Sequence, residues 1–402
     1  MSPLEGVKVI EIDSWMAAPS AGAILADLGA DVVKVEPLNG DPMRNMGRPA
    51  KVTGKLAGYD FGFDVANRGK RSISVALDTD EGAAVVRRLC ADADVFMCNL
   101  LRPRQERFGL TPEALHQVNP RLVHATLTGY GTDGPEAWRP GYDVTAFFGR
   151  SGIYDMLREG DDGLVQMARP AQGDYTTGLS LVVAILSALR VAEKTGTGEA
   201  VETSLYETAV WTQATDFGVT AVDRAPVRRR TRTQQIGATA NRFPCGDGKW
   251  IVLNEPRPES WGRLCRAMGL DDLAEDPRFD TIKKRFDNME LVISLLDQQF
   301  ATRSRDAWGA IFDQHRIVWG PVLSLDEVAN DAQAEAIGLF PEIEHPERGA
   351  YRSVRIPIRT SGGGVGPRGP APTVGQHTRE VLEEAGFDGA EIGTLLDDGA
   401  VG

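Results

Sequence analysis

The feature that most constrains this chain is the alternation of β-rich and amphipathic segments over its first 131 residues. "VKVIEI" is followed by a helical pattern around "SAGAILADLGA", then by "DVVKVEP" and "RSISVAL". Next come the helical "TDEGAAVVRRLCADA", the β-rich "DVFMCNL", the short helical "TPEALHQVN" and finally "RLVHATLTGYG". Strand and helix in turn predict an α/β fold, a parallel sheet with helices on both faces. Sheets of this kind take their ligands beyond the carboxyl ends of the strands. The turns to search are therefore "DSWMAAPSAG", "PLNGDPMR", "NLLRPRQER" and "GYGTDGP".

The first of these turns carries no G-x-G-x-x-G linking strand to helix, which argues against a dinucleotide enzyme. No G-x-x-x-x-G-K-[ST], H-E-x-x-H or G-x-S-x-G occurs, so phosphoryl transfer, zinc proteolysis and serine-hydrolase chemistry lose their usual markers. The histidines, His116, His124, His315, His345 and His377, are scattered, with no plausible nucleophile beside any of them. Cys90, Cys98, Cys245 and Cys265 lie in apolar segments without metal-ligand spacing and read as buried, reduced thiols; no metal site is expected. A formal net charge of −13 argues against nucleic-acid or anionic-membrane binding. The N-terminus lacks a signal layout, and the longest apolar run, 179–189, is too short to span a bilayer, so a cytoplasmic protein is expected.

Beyond residue 131 a long helical pattern precedes "EAVETSLYETAVWTQATDFG" and the arginine-rich "RAPVRRRTRTQQIGATANRF", which read as a connection. A smaller domain begins near "FPCGDGKWIVLNEP", whose turn at Gly246 to Gly248 predicts a hairpin. Helical segments follow, then extended "GAYRSVRIPIRTSG", a Gly/Pro-rich linker and a last helix, "HTREVLEEAGF". The expected division is 1–222 for the N-terminal part of a large domain, 223–240 for a linker, 241–340 for the small domain and 341–402 for a return to the large one.

One acidic residue stands out. In "RPAQGDYTTGLSLVVAILSALRVAEKTG" the lone Asp174 precedes a long apolar segment, a position that by itself reads as a helix N-cap. Gly173 beside it and Gly178 after it are poor helix formers, and small residues flanking an acid let a bulky ligand approach the backbone.

Taken in order, "LEGVKVIEI…AAPSAGAILADLGADVVKVE", "NRGKRSISVAL", "ERFGL", "GYGTDGP…RPGYD", "QGDYTTG", "DGKW", "WGPVLSLDEVANDAQ" and "GQHTREVLEEAG" resemble the class III coenzyme A transferases nearly end to end. That family includes formyl-CoA transferase, carnitine CoA-transferase and the α-methylacyl-CoA racemases. The resemblance implies a Rossmann-like large domain built from both chain ends, an inserted small domain and an interlocked homodimer. It also implies an acyl-CoA and a carboxylic acid as partners, with CoA a substrate and no permanently bound cofactor.

In the family the carboxylate at the position of Asp174 is the nucleophile, forming an acyl anhydride and then an aspartyl-CoA thioester. A helix N-terminus is expected to keep it ionised at neutral pH. The resemblance carries CoA contacts onto Met16 and Ala17, Val75, Ala76, Leu77 and Asp78, Asn99, Leu100 and Leu101, Arg107, and Thr128, Gly129, Tyr130 and Gly131.

Several positions depart from the pattern. An arginine usual at the end of the second strand is Pro37, and one or more of Arg224, Arg228, Arg229, Arg230 and Arg232 are candidate replacements for its phosphate contact. Met16 and Thr128 replace a glutamine and a lysine of formyl-CoA transferase, which implies an acyl group larger or less charged than oxalate. The covering glycine-rich loop of that enzyme is not evident, with "QQIGATANRF" near its expected place. A racemase would carry a histidine where this chain has Tyr142, a poor proton acceptor at neutral pH. A non-catalytic acyl-CoA-binding protein is the remaining alternative, disfavoured by Asp174.

Overall fold

A computed structural model of the chain describes residues 1–46 and 52–402. Six parallel strands form the main sheet: β1 (Lys8–Ile12), β2 (Asp31–Glu36), β3 (Arg71–Ser74), β4 (Val95–Cys98), β5 (Val123–Thr128) and β6 (Ala200–Ser204). Their order, β3-β2-β1-β4-β5-β6, reverses direction between β1 and β4, which opens a crevice at the carboxyl ends of those two strands.

The strands alternate their side chains between two cores. Val9, Val32, Val95, Met97, Val123 and Ala125 pack on one face against the helix α1 (Ala17–Asp27) and the long helix Gln172–Thr195. Ile10, Val33, Val35, Ile73, Phe96 and Cys98 pack on the other against Asp80–Cys90 and the C-terminal helices Thr378–Glu384 and Gly389–Asp397. This period-two burial on both faces is what a parallel sheet between helices requires.

Three details differ from the sequence reading. Ala200–Ser204, read as part of a connection, is the sixth strand, and helices Leu205–Thr212 and Ala214–Asp223 follow it. As an edge strand it is covered on part of its surface only, so it lacks the continuous apolar run of its neighbours. The last helix, Gly389–Asp397, was not anticipated; Asp388 caps it by accepting the N–H groups of Ala390 and Glu391. The long helix runs well beyond its apolar segment and, by length and composition alone, could cross a membrane. Its buried residues Leu181, Val182, Ile185, Ala188 and Ala192 pack into the core beside α1.

By Cα proximity the chain divides into two compact units. One comprises Met1–Tyr154, Met167–Arg224 and Glu335–Gly402; the other comprises Asp155–Gln166 and Ala225–Ala334. The first unit also holds the antiparallel pair β10 (Glu342–His345) and β11 (Gly349–Arg352). The second has its own core around Phe243, Trp261, Phe300, Trp308 and Phe312, under the antiparallel strands β7 (Ala240–Pro244), β8 (Trp250–Asn254) and β9 (Trp319–Val322). The β7–β8 hairpin turns at Gly246 to Gly248 as expected, with Gly248 at φ +78°.

Candidate active site

A cavity of about 640 Å³ lies at the carboxyl ends of the central strands, in the size range of a small-molecule site. Ile12 ends β1 and Asp13 follows it, Val35 and Glu36 end β2 before Pro37, Val75 to Asp78 follow β3, Asn99 to Leu101 follow β4, and Leu127 and Thr128 end β5 before Gly129. Asp174 reaches it from the first turn of the long helix.

Beneath the cavity lies a buried layer of charge. The Lys34 ammonium, fully buried, sits 3.0 Å from Asp13 Oδ1, 3.2 Å from Asp41 Oδ2 and 3.6 Å from Glu11 Oε1. Burial alone would lower its pKa, but the carboxylates of Asp13, Glu11 and Asp41 outweigh that and hold it above the ordinary lysine value. Burial also pushes Glu11 up to about 7, with the charge of Asp13 adding to the shift. Glu36 is tied to Arg44 at 2.7 Å and to the Ser72 hydroxyl at 2.6 Å.

This layer fixes the turn after β1. Asn99 Oδ1 accepts the Ser14 N–H at 3.3 Å while its amide donates to the Ser14 carbonyl at 2.8 Å. Asp41 Oδ1 accepts the Trp15 N–H at 3.2 Å and the Met43 N–H at 2.9 Å. Trp15 is thereby held at φ +74°, a left-handed conformation uncommon for a bulky residue. Its ring meets that of Tyr142 edge to face, with centroids 5.5 Å apart.

The long helix starts differently from the expected cap. Its N-cap is Ala171, at φ +87°, and Asp174 lies inside the first turn, three residues on, with no capping bond of its own. The cap comes from Asp143, at the start of a π-helical turn (Asp143–Gly149), whose carboxylate accepts the Ala171 N–H at 2.5 Å. Burial raises the Asp143 pKa, opposed by the N–H groups of Ala171, Val144 and Gly173. Asp174 is not held fully ionised, as the sequence reading expected: its burial, together with the charge of Asp143, pushes it up to about 7.

The flanking glycines serve packing and not ligand approach. A Cβ on Gly178 would lie 2.1 Å from Ser20 Oγ and 2.9 Å from the Ala17 carbonyl, so this glycine lets the long helix close on α1. One on Gly173 would lie 2.5 Å from the Phe147 ring.

Of the anticipated residues, Ala17, Val75, Ala76, Leu77, Asp78, Asn99, Leu100, Leu101, Thr128, Gly129 and Asp174 line the cavity together. Met16, Arg107, Tyr130 and Gly131 do not. Met16 is the half-buried N-cap of α1. Arg107 is exposed and pairs with Asp78 at 3.5 Å. Tyr130 packs against the core with Arg139 over its ring, and Gly131 donates its N–H to Thr128 Oγ1 at 2.9 Å.

Lining residues that were not singled out include Ser14, Trp15, Glu36, Leu38, Pro42, Arg104, Pro140, Gly141 and Leu205; Tyr142, the racemase-position residue, lines it too. Most lie in turns marked for search after β1, β2 and β4, or in the quoted "RPGYD"; Leu205, the residue after β6, had no local signal. In the arginine-rich segment, Arg229 is taken by Asp155 and Asp161, and Arg232 by Asp297.

The chain is similar to known CoA-transferases along its length. The (R)-2-hydroxy-4-methylpentanoate CoA-transferase of Clostridioides difficile is 29% identical, covering 99% of each chain. The succinate–glutarate CoA-transferase of Agrobacterium fabrum is 33% identical over 95% of each. Among solved structures, a CAIB/BAIF family protein from Brucella suis superposes with a TM-score of 0.83 at 32% identity, covering 96% of this chain and 99% of that one. Residues 4–378 match CoA-transferase family III, and the chain belongs to that family.

Proposed function

We propose that the chain moves CoA from an acyl-CoA thioester to a carboxylic acid, with Asp174 as the nucleophile. The observation that carries this reading is the half-buried Asp174 carboxylate facing a cavity that no histidine or cysteine lines among the described residues. A carboxylate needs neither. One Asp174 oxygen adds to the thioester carbonyl; the C–S bond breaks and CoA leaves as thiolate, giving a mixed anhydride. The thiolate then adds to the Asp174 carboxyl carbon, the donor acid departs as its carboxylate, and an aspartyl-CoA thioester remains. The acceptor acid runs the same steps in reverse. Both intermediates are hydrolysable, so walls such as Leu127, Pro140 and Leu205 matter for keeping water out.

The CoA chain is assigned to the crevice between the β3 and β4 turns, lined by Val75 to Asp78 and Asn99 to Leu101. Arg104, which lines that crevice, is the proposed phosphate contact in place of Arg107 and the 224–232 cluster. Asn99 acts there through the Ser14 peptide that it grips on both sides. Tyr142 stands where the racemase branch would need a histidine, which favours transfer over α-proton exchange.

A homodimer is proposed as well. Trp211, Val219 and Val222 are 78%, 64% and 83% exposed, and Val183 is 65% exposed, an apolar surface that a second copy of the chain would cover. Light scattering should give twice the chain mass.

The mechanism is tested by incubating the protein with an acyl-CoA and mapping added mass by peptide mass spectrometry. The expected adduct is on the Asp174 peptide and is absent in Asp174→Ala. An adduct elsewhere, or appreciable turnover by the variant, would overturn the assignment.

A further inference from the structure

We infer that the acyl end of the cavity is built for a flat aromatic carboxylic acid, and that Trp15 is the specificity-determining residue. The inference rests on the CoA-transferase reading of the same site.

The first ground is how firmly Trp15 is placed. A bulky residue in the left-handed region persists only where its surroundings over-determine it. Here they do so several times. Asp41 accepts the Trp15 N–H at 3.2 Å, Asn99 bonds both the N–H and the carbonyl of the preceding residue, Ser14, and Lys34 binds the Asp13 carboxylate and the Asp13 carbonyl, each at 3.0 Å. Lys34, Asp13 and Asp41 are fully buried at their side chains. This much buried charge beneath one turn aims an indole that the sheet core does not need: Trp15 belongs to none of the apolar cores and is itself only half-buried.

The second ground is the partner ring. Trp15 and Tyr142 both line the cavity that holds Asp174, and their planes stand at 87°. Two aromatic planes at a right angle make a corner. A planar ring seated in it lies against one face while turning its edge to the other, so both favoured aromatic geometries are met together. A saturated ring of the same volume fills the corner but carries no quadrupole.

The third ground is charge. Arg104, on the segment after β4, is the only Lys or Arg among the described residues that line the cavity. The acidic residues Asp13 and Glu36 that share the lining are already paired with Lys34 and Arg44. A second carboxylate on the acyl group therefore meets Asp174 without a cation of its own, and dicarboxylic acids are disfavoured.

The test compares acceptors with one CoA donor, butanoyl-CoA. For the unaltered protein, kcat/KM for 3-phenylpropanoate should exceed that for 3-cyclohexylpropanoate by about fivefold, the size that one aromatic pair contributes, and glutarate should rank below both. Trp15→Leu and, independently, Tyr142→Leu should each bring the aromatic-to-saturated ratio to about one. A ratio at or below one in the unaltered protein, or glutarate ranking first, overturns the aromatic assignment. A ratio that survives Trp15→Leu overturns the role of Trp15. If no acid is turned over at all, the transferase reading fails separately. Calorimetric binding of 3-phenylpropanoyl-CoA against 3-cyclohexylpropanoyl-CoA then decides the corner, equal dissociation constants overturning it.

Discussion

The Asp143 carboxylate accepts the backbone N–H of Ala171 at 2.5 Å, so the acid that caps the long helix is not the acid that faces the cavity. Ala171 occupies a left-handed conformation that an alanine rarely adopts, and Asp143, 3% exposed, holds it there. One carboxylate thus fixes the turn and, through its charge, adds to the burial that lowers the acidity of the other.

Replacing Asp143 by Asn separates those two roles, because the amide oxygen still accepts the Ala171 N–H while the charge is gone. With Asp174 at about 7, kcat/KM should rise with pH through about 7 as the nucleophile ionises. In Asp143→Asn that acid limb should move to lower pH by about one unit, the size of a nearby like charge. A pH profile of kcat/KM measures it, and an unmoved limb would show that the two carboxylates are uncoupled. Asp143→Ala should lose about 1 kcal/mol of stability in addition, the ordinary worth of a helix cap.

Asp174 itself should lower stability where it is charged. An aspartate in the unfolded chain titrates near 3.9, whereas Asp174 in the fold holds its proton up to about 7. Between these values the folded state binds more protons, so the contribution of Asp174 to stability declines as pH rises from about 4 to about 7. Asp174→Asn should therefore be more stable than the unaltered protein at pH 8 by about 2 kcal/mol, and no more stable at pH 4, while losing transfer activity. Urea unfolding at the two pH values tests the sign.

His124 gives the opposite slope. Its ring is buried against Phe96 and its Nε2 lies 3.0 Å from the Leu110 carbonyl. Burial is the main cause that lowers its pKa to about 4. The unfolded chain takes up this proton first, near pH 6.5, so stability falls as pH drops from about 6.5 to about 4, by up to about 3 kcal/mol. His124→Gln, which can still donate to Leu110, should flatten that part of the curve, and thermal unfolding across pH 4 to 7 would reveal an unchanged slope if His124 is not responsible.

What the sequence made legible follows from how local each signal is. The central strands announce themselves because both faces are buried and the apolar runs are continuous, as in Val32 to Val35 broken only by Lys34. Lys34 itself gives no hint of burial, since its partners Asp13, Asp41 and Glu11 come from other segments. Asp174 stood out as a lone acid before a long helix, yet its capping role belongs to Asp143, 31 positions earlier, which no helical spacing connects to it. Gly178 looked like room for a ligand because a glycine's meaning depends on what faces it, here Ser20 on α1. Trp15 was missed for the same reason: its conformation is imposed by Asp41 and Asn99 and leaves no local trace.

Gly178→Ala should accordingly damage the fold before it touches chemistry. The added methyl would stand 2.1 Å from Ser20 Oγ, which can move, and 2.9 Å from the Ala17 carbonyl, which cannot without shifting α1. A loss of about 2 kcal/mol is expected, in the range of overpacked cores, and Ser20→Ala in the same chain should restore only part of it. Denaturant midpoints of the single and double variants check both statements.

The phosphate contact is the sharpest choice among arginines. Arg107 is 65% exposed at its side chain and already faces Asp78, so a phosphate there must compete with a carboxylate in water, where such pairs are weak. Arg229 and Arg232 are each held by carboxylates of their own unit. Arg104, on the helix Arg102–Phe108, is exposed, lines the cavity beside Leu100 and Leu101, and has its guanidinium 5.5 Å from the Phe108 ring, with no carboxylate within ion-pair distance among the described residues. A guanidinium so placed suits phosphate oxygens. Arg104→Gln should weaken CoA binding about tenfold, or about 1.4 kcal/mol, and reduce its dependence on salt. Arg107→Gln should change it by less than about threefold, and Arg229→Gln not at all. Calorimetric titration with CoA at low and high salt measures all three, and a loss confined to Arg107→Gln would place the phosphate on Arg107 instead, one turn further along the same helix.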